Sequence, residues 1–170
     1  MMDLKKAIAQ LHQQGVSIRS LVADMTEETA RWKPDPDSWS ILEVLNHLVD
    51  EEVFDFRRHS EHMLFTPDQP WPEIDPQGWI KERTYNQRKL NETLRNFERE
   101  RANSITWLGE LTEPNWDSKV TFSWGALTAG DMLASWLAHD LLHIRQLVEL
   151  RYQLTAANSI PFRVEYAGKW

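Results

Sequence analysis

The sequence contains no cysteine, and none of its apolar runs is long enough to span a membrane. Disulfide scaffolds, cysteine-ligated zinc fingers and thiol nucleophiles are therefore excluded. The first residues, Met1-Met2-Asp3-Leu4-Lys5-Lys6, lack the apolar core of a signal peptide. These absences together predict a soluble, cytoplasmic protein that does not enter a membrane.

An excess of positive charge is also missing. The formal net charge is −7, with 19 Lys and Arg residues against 26 Asp and Glu residues. The basic residues are dispersed among acidic ones, and no basic stripe suited to a phosphate backbone is visible. The charge pattern argues against a nucleic-acid-binding protein, and we expect a small-molecule substrate instead.

Apolar residues recur with helical periodicity along most of the chain. A length of 170 residues is enough for one domain with a sizeable core, so we expect a single domain over residues 1–170. The pattern predicts an all-α fold, a four-helix bundle. Its helices are predicted to run approximately over residues 3–24, 40–63, 75–111 and 128–151.

Three stretches are predicted to be irregular or extended. Residues 66–75 contain three prolines, so a long loop should separate the second and third helices and serve as a lid or pocket wall. Residues 120–125 suit a short extended piece or hairpin. The tail over residues 155–170 is expected to be irregular, with an extended piece at residues 162–166.

His139 and His143 lie four residues apart in the predicted last helix. Residues at this spacing share one helical face, and the same face carries Met132 and Trp136. A buried imidazole is costly unless it is hydrogen-bonded or bound to something, so a shared metal ion would explain the pair. Ordinary core or surface histidines are the alternative, because this spacing alone is a weak motif.

A third ligand would have to come from His12, His47, His59 or His62. His47 lies on the second helix, one turn before Glu51, on a partly polar face. That face suits a solvated histidine, or a metal pocket with a carboxylate if the second and last helices face each other. His59 and His62 lie among charged residues and are predicted to be solvated, whereas His12 is predicted to be partly buried.

The second and last predicted helices each carry an additional apolar stripe. In the last helix this stripe lies on the side opposite the histidines. A helix that is apolar on two sides is either central or shared with another subunit, and a four-helix bundle has no central helix. The stripes therefore predict a homodimer, unless the tail covers them. They comprise Leu133, Leu137, Leu141, Ile144 and Val148 in the last helix, and Leu42, Leu45, Val49, Val53 and Phe56 in the second.

Three motifs in this chain resemble, in order and spacing, the DinB/YfiT-like superfamily of metal-binding four-helix bundles. They are a tryptophan-led helix start ending in a histidine, the lead-in to the last helix, and a two-histidine signature with a trailing glutamine. These motifs occupy residues 39–48, 125–133 and 139–147.

The resemblance implies that His47, His139 and His143 bind one divalent metal ion, usually nickel, zinc or iron. The family often has a second histidine just before the last ligand, where this chain has Leu142. That difference leaves the three implied ligands in place.

The resemblance also suggests an activity. Characterised relatives include transferases and isomerases that act with mycothiol or bacillithiol. Other relatives are proposed to be hydrolases, and many members have no known activity. We therefore expect a divalent-metal-dependent enzyme, either a hydrolase or a thiol-dependent S-transferase that uses a low-molecular-weight thiol cosubstrate. The alternative is a non-catalytic bundle that binds a metal or a small molecule, which a closed metal site would favour.

Four polar residues near the histidines are candidates for supporting roles. Glu51 is the predicted catalytic base, with an ordinary solvated acid as its alternative, and Asp50 is the second candidate for the base. Gln146 is predicted to take part in cofactor binding by hydrogen-bonding a ligand of the metal. Asp140 is expected to face solvent or to pair with an arginine.

Overall fold

The computed structural model describes residues 3–168. A π-helical segment, Glu51–Phe56, continues directly from one α-helix into the next, and short 3-10 turns occupy Tyr85–Gln87 and Glu165–Ala167. Two antiparallel strands form a hairpin, β1 (Lys119–Phe122) and β2 (Gly125–Thr128). The α-helices are α1 (Leu4–Val22), α2 (Glu27–Arg31), α3 (Ile41–Asp50), α4 (Arg57–Phe65), α5 (Pro76–Glu82), α6 (Leu90–Glu110) and α7 (Ala129–Asn158).

Four long helical rods form the bundle. They are α1, the continuous α3–π–α4 rod, α6 and α7, and both α1 and α3 pack against α6 and α7. This arrangement confirms the predicted all-α four-helix bundle, and the hairpin lies where residues 120–125 suggested one. In residues 3–168, no helix combines the length and the apolar character that crossing a membrane requires.

The helices that carry the site begin at capping boxes. The Ser40 hydroxyl accepts a hydrogen bond from the backbone N–H of Glu43 at 3.1 Å, and the Glu43 carboxylate accepts one from the Ser40 N–H at 2.8 Å. Thr128 and Asp131 make the same exchange at the start of α7. Because each exchange satisfies two otherwise free N–H groups, these residues define where α3 and α7 start.

The predicted third helix is broken, so its interpretation as one continuous element was wrong. After α5, Thr84 adopts a left-handed conformation with φ 48°, and the chain restarts as α6. The side chains on either side explain the break, since Arg83 and Tyr85 both donate hydrogen bonds to the Asp50 carboxylate on α3. A continuous helix would place these two side chains, which are two residues apart, about 200° apart around its axis and so on nearly opposite faces.

The last helix is about two turns longer than predicted. Arg151, where we expected it to end, donates hydrogen bonds to the Leu21 carbonyl at 2.6 Å and to Asp24 at 2.8 Å. These bonds hold the end of α7 against the end of α1. The tail is irregular after Asn158, but the extended piece expected at residues 162–166 is absent from the described residues, which instead contain the 3-10 turn.

The apolar stripe on the second helix belongs to the core of the same chain. All ten residues of α3 are buried, because α2, α5, α6 and α7 pack around it. The expectation that only another subunit or the tail could cover this stripe was therefore wrong, because the short helices α2 and α5 add to the cover that α6 and α7 provide. The stripe on α7 is divided, since Leu133 is buried whereas Leu141 is 53% exposed.

Candidate functional site

Three histidines converge where α3 faces α7. His47 comes from α3, and His139 and His143 come from successive turns of α7. One imidazole nitrogen of each lies within 4.8 Å of the other two, and the Nε2 atoms of His139 and His143 are 3.1 Å apart. The structure therefore brings together the three residues that the family resemblance implied as metal ligands.

The nitrogen atoms of this cluster fit a metal ion. The Nδ1 atom of His47 is buried and finds no hydrogen-bond partner among residues 3–168. Two nitrogens bound to one tetrahedral zinc ion at about 2.1 Å lie roughly 3.4 Å apart, close to the separation of the His139 and His143 Nε2 atoms. A buried nitrogen without a partner is costly, and coordination would remove that cost.

The surroundings keep the imidazoles neutral, which is the form that binds metals. Burial, reinforced by the other two histidines, lowers the pKa of His47 to about 2. Burial and His143 lower the pKa of His139 to about 3, and burial also lowers the pKa of His143. At neutral pH all three rings therefore offer a lone pair.

These shifts predict that the metal-free protein loses stability in acid. An unfolded histidine has a pKa of about 6.5, so below that pH the unfolded state binds more protons than the folded state. The stabilisation is complete above pH 6.5 and is lost as pH falls toward the folded values. Each histidine contributes a slope of at most about 1.4 kcal/mol per pH unit.

Urea unfolding of the chelator-treated protein between pH 4.5 and 6.5 measures this slope. We expect the His47→Gln variant to show a shallower dependence than the unsubstituted protein. The raised pKa of Glu51, described below, acts in the opposite direction, but it is present in both proteins. His12, predicted to be partly buried, is exposed, so His12→Gln is the control and should keep the full slope. Parallel curves for the His47→Gln variant and the unsubstituted protein would contradict the interpretation.

Glu51 lies beside the cluster, where the sequence placed the catalytic carboxylate. Its Oε1 atom is 3.8 Å from His47 Nδ1 and lacks a hydrogen-bond partner in the described part of the chain. Burial, then a hydrogen bond with Asp55, then the charges of Asp55 and Asp50 raise the pKa of Glu51 to about 9. Burial opposes ionisation of Asp55, but hydrogen bonds with His59 and Glu51 outweigh it and lower the Asp55 pKa. The pair therefore holds one proton, on Glu51.

The π-helical segment keeps four polar residues on one face of the rod. In an α-helix, residues spaced by four drift around the axis, whereas the wider π turn shifts them back. Side chains four residues apart thus contact each other in succession along the rod, in the order His47, Glu51, Asp55 and His59. The last contact joins Asp55 Oδ1 to His59 Nδ1 at 2.6 Å. No proline or glycine marks residues 51–56, so sequence reasoning missed this segment.

His59 and His62 are buried, so the prediction that they are solvated was wrong. His59 is 1% exposed, its Nε2 lies 2.8 Å from the Pro72 carbonyl, and Trp71 stacks on its ring at 4.0 Å. Trp71 also meets the His62 ring edge-on at 5.5 Å. The proline-rich loop thus lies over α4 and covers both rings. Trp71 in this loop was the one feature of the sequence that could have indicated that the two histidines are covered.

Asp50, the second candidate for the base, is already engaged by other groups. Its Oδ2 atom accepts hydrogen bonds from the Arg83 guanidinium at 2.8 Å and from the Tyr85 hydroxyl. Burial and these contacts with Asp50 raise the pKa of Tyr85, so the phenol stays protonated. The structure therefore assigns Asp50 to joining α3 to the segment after α5.

A buried arginine links the two chain segments that carry the site. Arg101 on α6 donates two hydrogen bonds to Glu52 at 2.8 and 2.9 Å and two to Asp140 at 2.6 and 2.9 Å. Of the two environments expected for Asp140, the structure shows the pairing with an arginine and not exposure to solvent. Glu52 is the residue after Glu51, and Asp140 is the residue after His139. The arginine therefore holds the segment that carries Glu51 and the segment that carries His139 in fixed relative positions.

Gln146 orients one of the three imidazoles. Its Oε1 atom lies 2.8 Å from His143 Nδ1. Because an amide oxygen only accepts hydrogen bonds, His143 carries its proton on Nδ1 and presents the Nε2 lone pair to the cluster. Gln146 therefore contacts a candidate ligand, as a supporting residue of a metal site does.

A cavity of about 470 Å³ opens beside His143 and Gln146. Trp39 lies at its wall, with its ring stacked toward the His143 ring at 6.4 Å between centroids. A second cavity of about 700 Å³ adjoins the first and shares Asp37, Ser38, Trp39 and Gln77 with it. The cluster thus borders a cavity through His143, and catalytic metal sites likewise lie beside space for a reacting molecule.

Comparisons with known proteins agree with this architecture. A model of the DinB superfamily matches residues 10–147. The fold is similar to that of YfiT from Bacillus subtilis, described as a probable metal-dependent hydrolase with an unusual four-helix bundle topology. The two chains are 17% identical with a TM-score of 0.77, and the match covers 89% of this chain and 87% of YfiT.

A second similar structure is a variant of mycothiol-dependent maleylpyruvate isomerase. It is 11% identical with a TM-score of 0.68, and the match covers 86% of this chain but 61% of the isomerase. At such identities the similarity extends to the fold alone. Among proteins of curated function, none matches this sequence.

Proposed function

This chain belongs to the DinB superfamily, and from that premise we propose that it is a metal-dependent enzyme whose ion is held by His47, His139 and His143. One observation carries the proposal: three neutral imidazoles converge beside an accessible cavity, and one of their buried nitrogens lacks a partner within residues 3–168. Three protein ligands leave a coordination position for a reacting molecule, which distinguishes catalytic from purely structural sites.

A divalent nickel, zinc or iron ion suits this donor set, because imidazole is a favourable ligand for all three metals. When bound, such an ion acts as a Lewis acid that lowers the pKa of a water molecule or a thiol. The remaining contributions come from the chain itself.

Glu51 is the group placed to move a proton. Its Oε1 atom faces the histidine cluster and has no hydrogen-bond partner within residues 3–168, so it can accept a proton from the attacking water or thiol and return it to the leaving group. A nearby divalent cation would oppose the rise in the Glu51 pKa, because positive charge favours the carboxylate. Asp55 holds Glu51 in place, and Gln146 holds the His143 ring.

Two reaction classes fit this arrangement, hydrolysis and thiol-dependent S-transfer. They differ only in whether water or a low-molecular-weight thiol is the nucleophile, and the cavity at His143 has room for either. A non-catalytic binding protein is the alternative, but an accessible site with a carboxyl group beside it favours catalysis.

Metal analysis of protein purified without a histidine tag tests the proposal. We expect about one nickel, zinc or iron ion per chain. A screen of ester, amide and electrophilic substrates, each with and without a thiol cosubstrate, then separates the two reactions. Protein that binds none of these metals, even when they are added in excess, would refute the proposed function.

Replacing Glu51 tests its assignment as the base. Glu51→Gln should keep the fold and the metal but lower turnover on the order of a hundredfold, the usual scale for a lost general base. The control is Glu61→Gln, which changes an exposed carboxylate further along the same rod. Turnover and metal content should be measured together for both variants. Equal turnover in Glu51→Gln and Glu61→Gln would remove Glu51 from the mechanism.

We further propose that the protein forms a homodimer through the outer side of α7. The support is the pair Leu141 and Leu142, which are 53% and 55% exposed on the site-bearing helix. In sedimentation experiments at tens of micromolar, the unsubstituted chain should behave as a dimer and Leu141→Glu as a folded monomer. Val16→Glu changes an exposed apolar residue of α1 and should remain dimeric. An unsubstituted chain that sediments as a monomer would contradict this proposal.

A further inference from the structure

The cavity beside His143 has hydrogen-bond acceptors and negative charge on its walls. Asp37 and Glu149 supply two carboxylates, whereas neither Lys nor Arg is found among the described residues that line it. Asp37 also borders the neighbouring cavity, which is the one that Lys33 and Lys81 line, and Lys33 is paired with Glu43 there. An anionic group in the cavity beside His143 would therefore meet two like charges, and the described residues that line this cavity include no cation to offset them.

The wall of this cavity contains one amide oxygen that is unpaired in the part of the chain that the structure describes. The Gln153 side chain donates a hydrogen bond to Glu149 at 3.2 Å, which directs its amide nitrogen toward the carboxylate. Its Oε1 atom is buried and finds no hydrogen-bond partner in residues 3–168. A buried acceptor without a donor is costly, so turning the Gln153 amide toward the cavity and pairing this oxygen with an N–H or O–H group of a ligand would be favoured.

The aromatic wall of the cavity favours the same kind of ligand. Trp39 lines both cavities and stacks toward His143. The face of an indole ring attracts a cation, and this attraction adds to that of the two carboxylates. Carboxylates, an unpaired amide oxygen and an indole ring together match an ammonium group, which offers both positive charge and N–H donors.

We infer that this cavity receives the ammonium-bearing part of a substrate or thiol cosubstrate whose reacting end is bound at the histidine cluster. The inference rests on the proposed function, because it takes His47, His139 and His143 as the metal site. It adds a preference for cationic over anionic molecules, which the metal site alone does not supply. Glu149 and Asp37 become specificity-determining residues, since they distinguish cationic from anionic molecules with the same reacting group.

Three thiols of equal chain length test this inference: aminohexanethiol, mercaptohexanol and mercaptohexanoate. Cobalt(II)-substituted protein gains a thiolate-to-cobalt absorption band when a thiol binds, so a titration measures each dissociation constant. We expect affinity to fall from the ammonium to the hydroxyl to the carboxylate compound. The first and last should differ by about fivefold or more, the scale of a partly exposed charge pair.

Glu149→Gln should reduce this preference and leave the affinity for mercaptohexanol nearly unchanged, and Asp37→Asn should have a smaller effect because Asp37 is exposed. Glu110→Gln changes an exposed carboxylate at the end of α6 and serves as the control. Equal affinity for the three thiols, or a preference that survives both cavity substitutions, would overturn the inference. Failure of cobalt to bind would instead refute the metal site itself, and with it this use of the cavity.

Discussion

Replacing Arg101 by Met should lower the free energy of unfolding by about 3–5 kcal/mol, the usual cost of removing one partner from a buried ion pair. Arg101 is 4% exposed, and both of its carboxylate partners, Glu52 and Asp140, are 1% exposed. Without the guanidinium, these two acids remain buried and lose their cationic partner. Urea unfolding measures the loss, and adding Glu52→Gln and Asp140→Asn should restore part of the stability.

Arg57 provides a matched control for this prediction. It also joins the α3–π–α4 rod to α6, through hydrogen bonds to Glu100 at 2.9 Å and Ser104 at 3.1 Å. Its ion pair with Glu100 is less buried, with side chains 19% and 14% exposed, so Arg57→Met should cost less, on the order of 1–2 kcal/mol. If Arg101→Met cost no more than Arg57→Met, the buried cluster would not be a principal support of the site.

The parts of the fold that the sequence predicted correctly depend on local rules. The capping boxes at Ser40 and Thr128 rely on hydrogen bonds between residues three apart, so sequence alone locates the starts of α3 and α7. The proline-rich stretch of residues 66–75 cannot continue a helix for a similarly local reason. These features place His47 near the start of one rod and the histidine pair on another.

The parts that were missed depend on contacts between distant residues. The break after α5 follows from two side chains reaching Asp50 on another helix, which no local pattern reveals. His59 and Asp140 resemble solvated polar residues in sequence, because neither Trp71 nor Arg101 is near them in the chain. A buried polar residue is recognised only once its partner is known.

The candidate site lies between these two cases. Helical spacing placed His139 and His143 on one face, but spacing could not show that α3 faces α7 or that His47 completes the cluster. The family resemblance supplied the third histidine, and the structure brings all three together. Helical periodicity does not show how the chain turns back between α3 and α7, so it could not predict that these two helices are neighbours.

The last prediction concerns the metal itself. Ala in place of any of His47, His139 or His143 should weaken metal binding by more than about a hundredfold, because a lost ligand costs more than a lost supporting residue. Metal content after dialysis measures this loss. Metal at one hundred times its dissociation constant stabilises the folded state by about 2.7 kcal/mol, so each variant should also lose most of this metal-dependent increase in stability.

Gln146 and His59 provide graded controls. Gln146→Ala removes the acceptor that fixes the His143 tautomer, so we expect a loss in affinity of roughly tenfold to a hundredfold with the ligands intact. His59→Ala removes a buried histidine whose two ring nitrogens are already engaged by Asp55 and Pro72, and it should retain its metal. Metal lost from His59→Ala but retained by His47→Ala would make His59 the third ligand. Stoichiometric metal in His143→Ala would exclude the proposed triad, because a site that uses His143 as a ligand must lose affinity for the metal when the imidazole is removed.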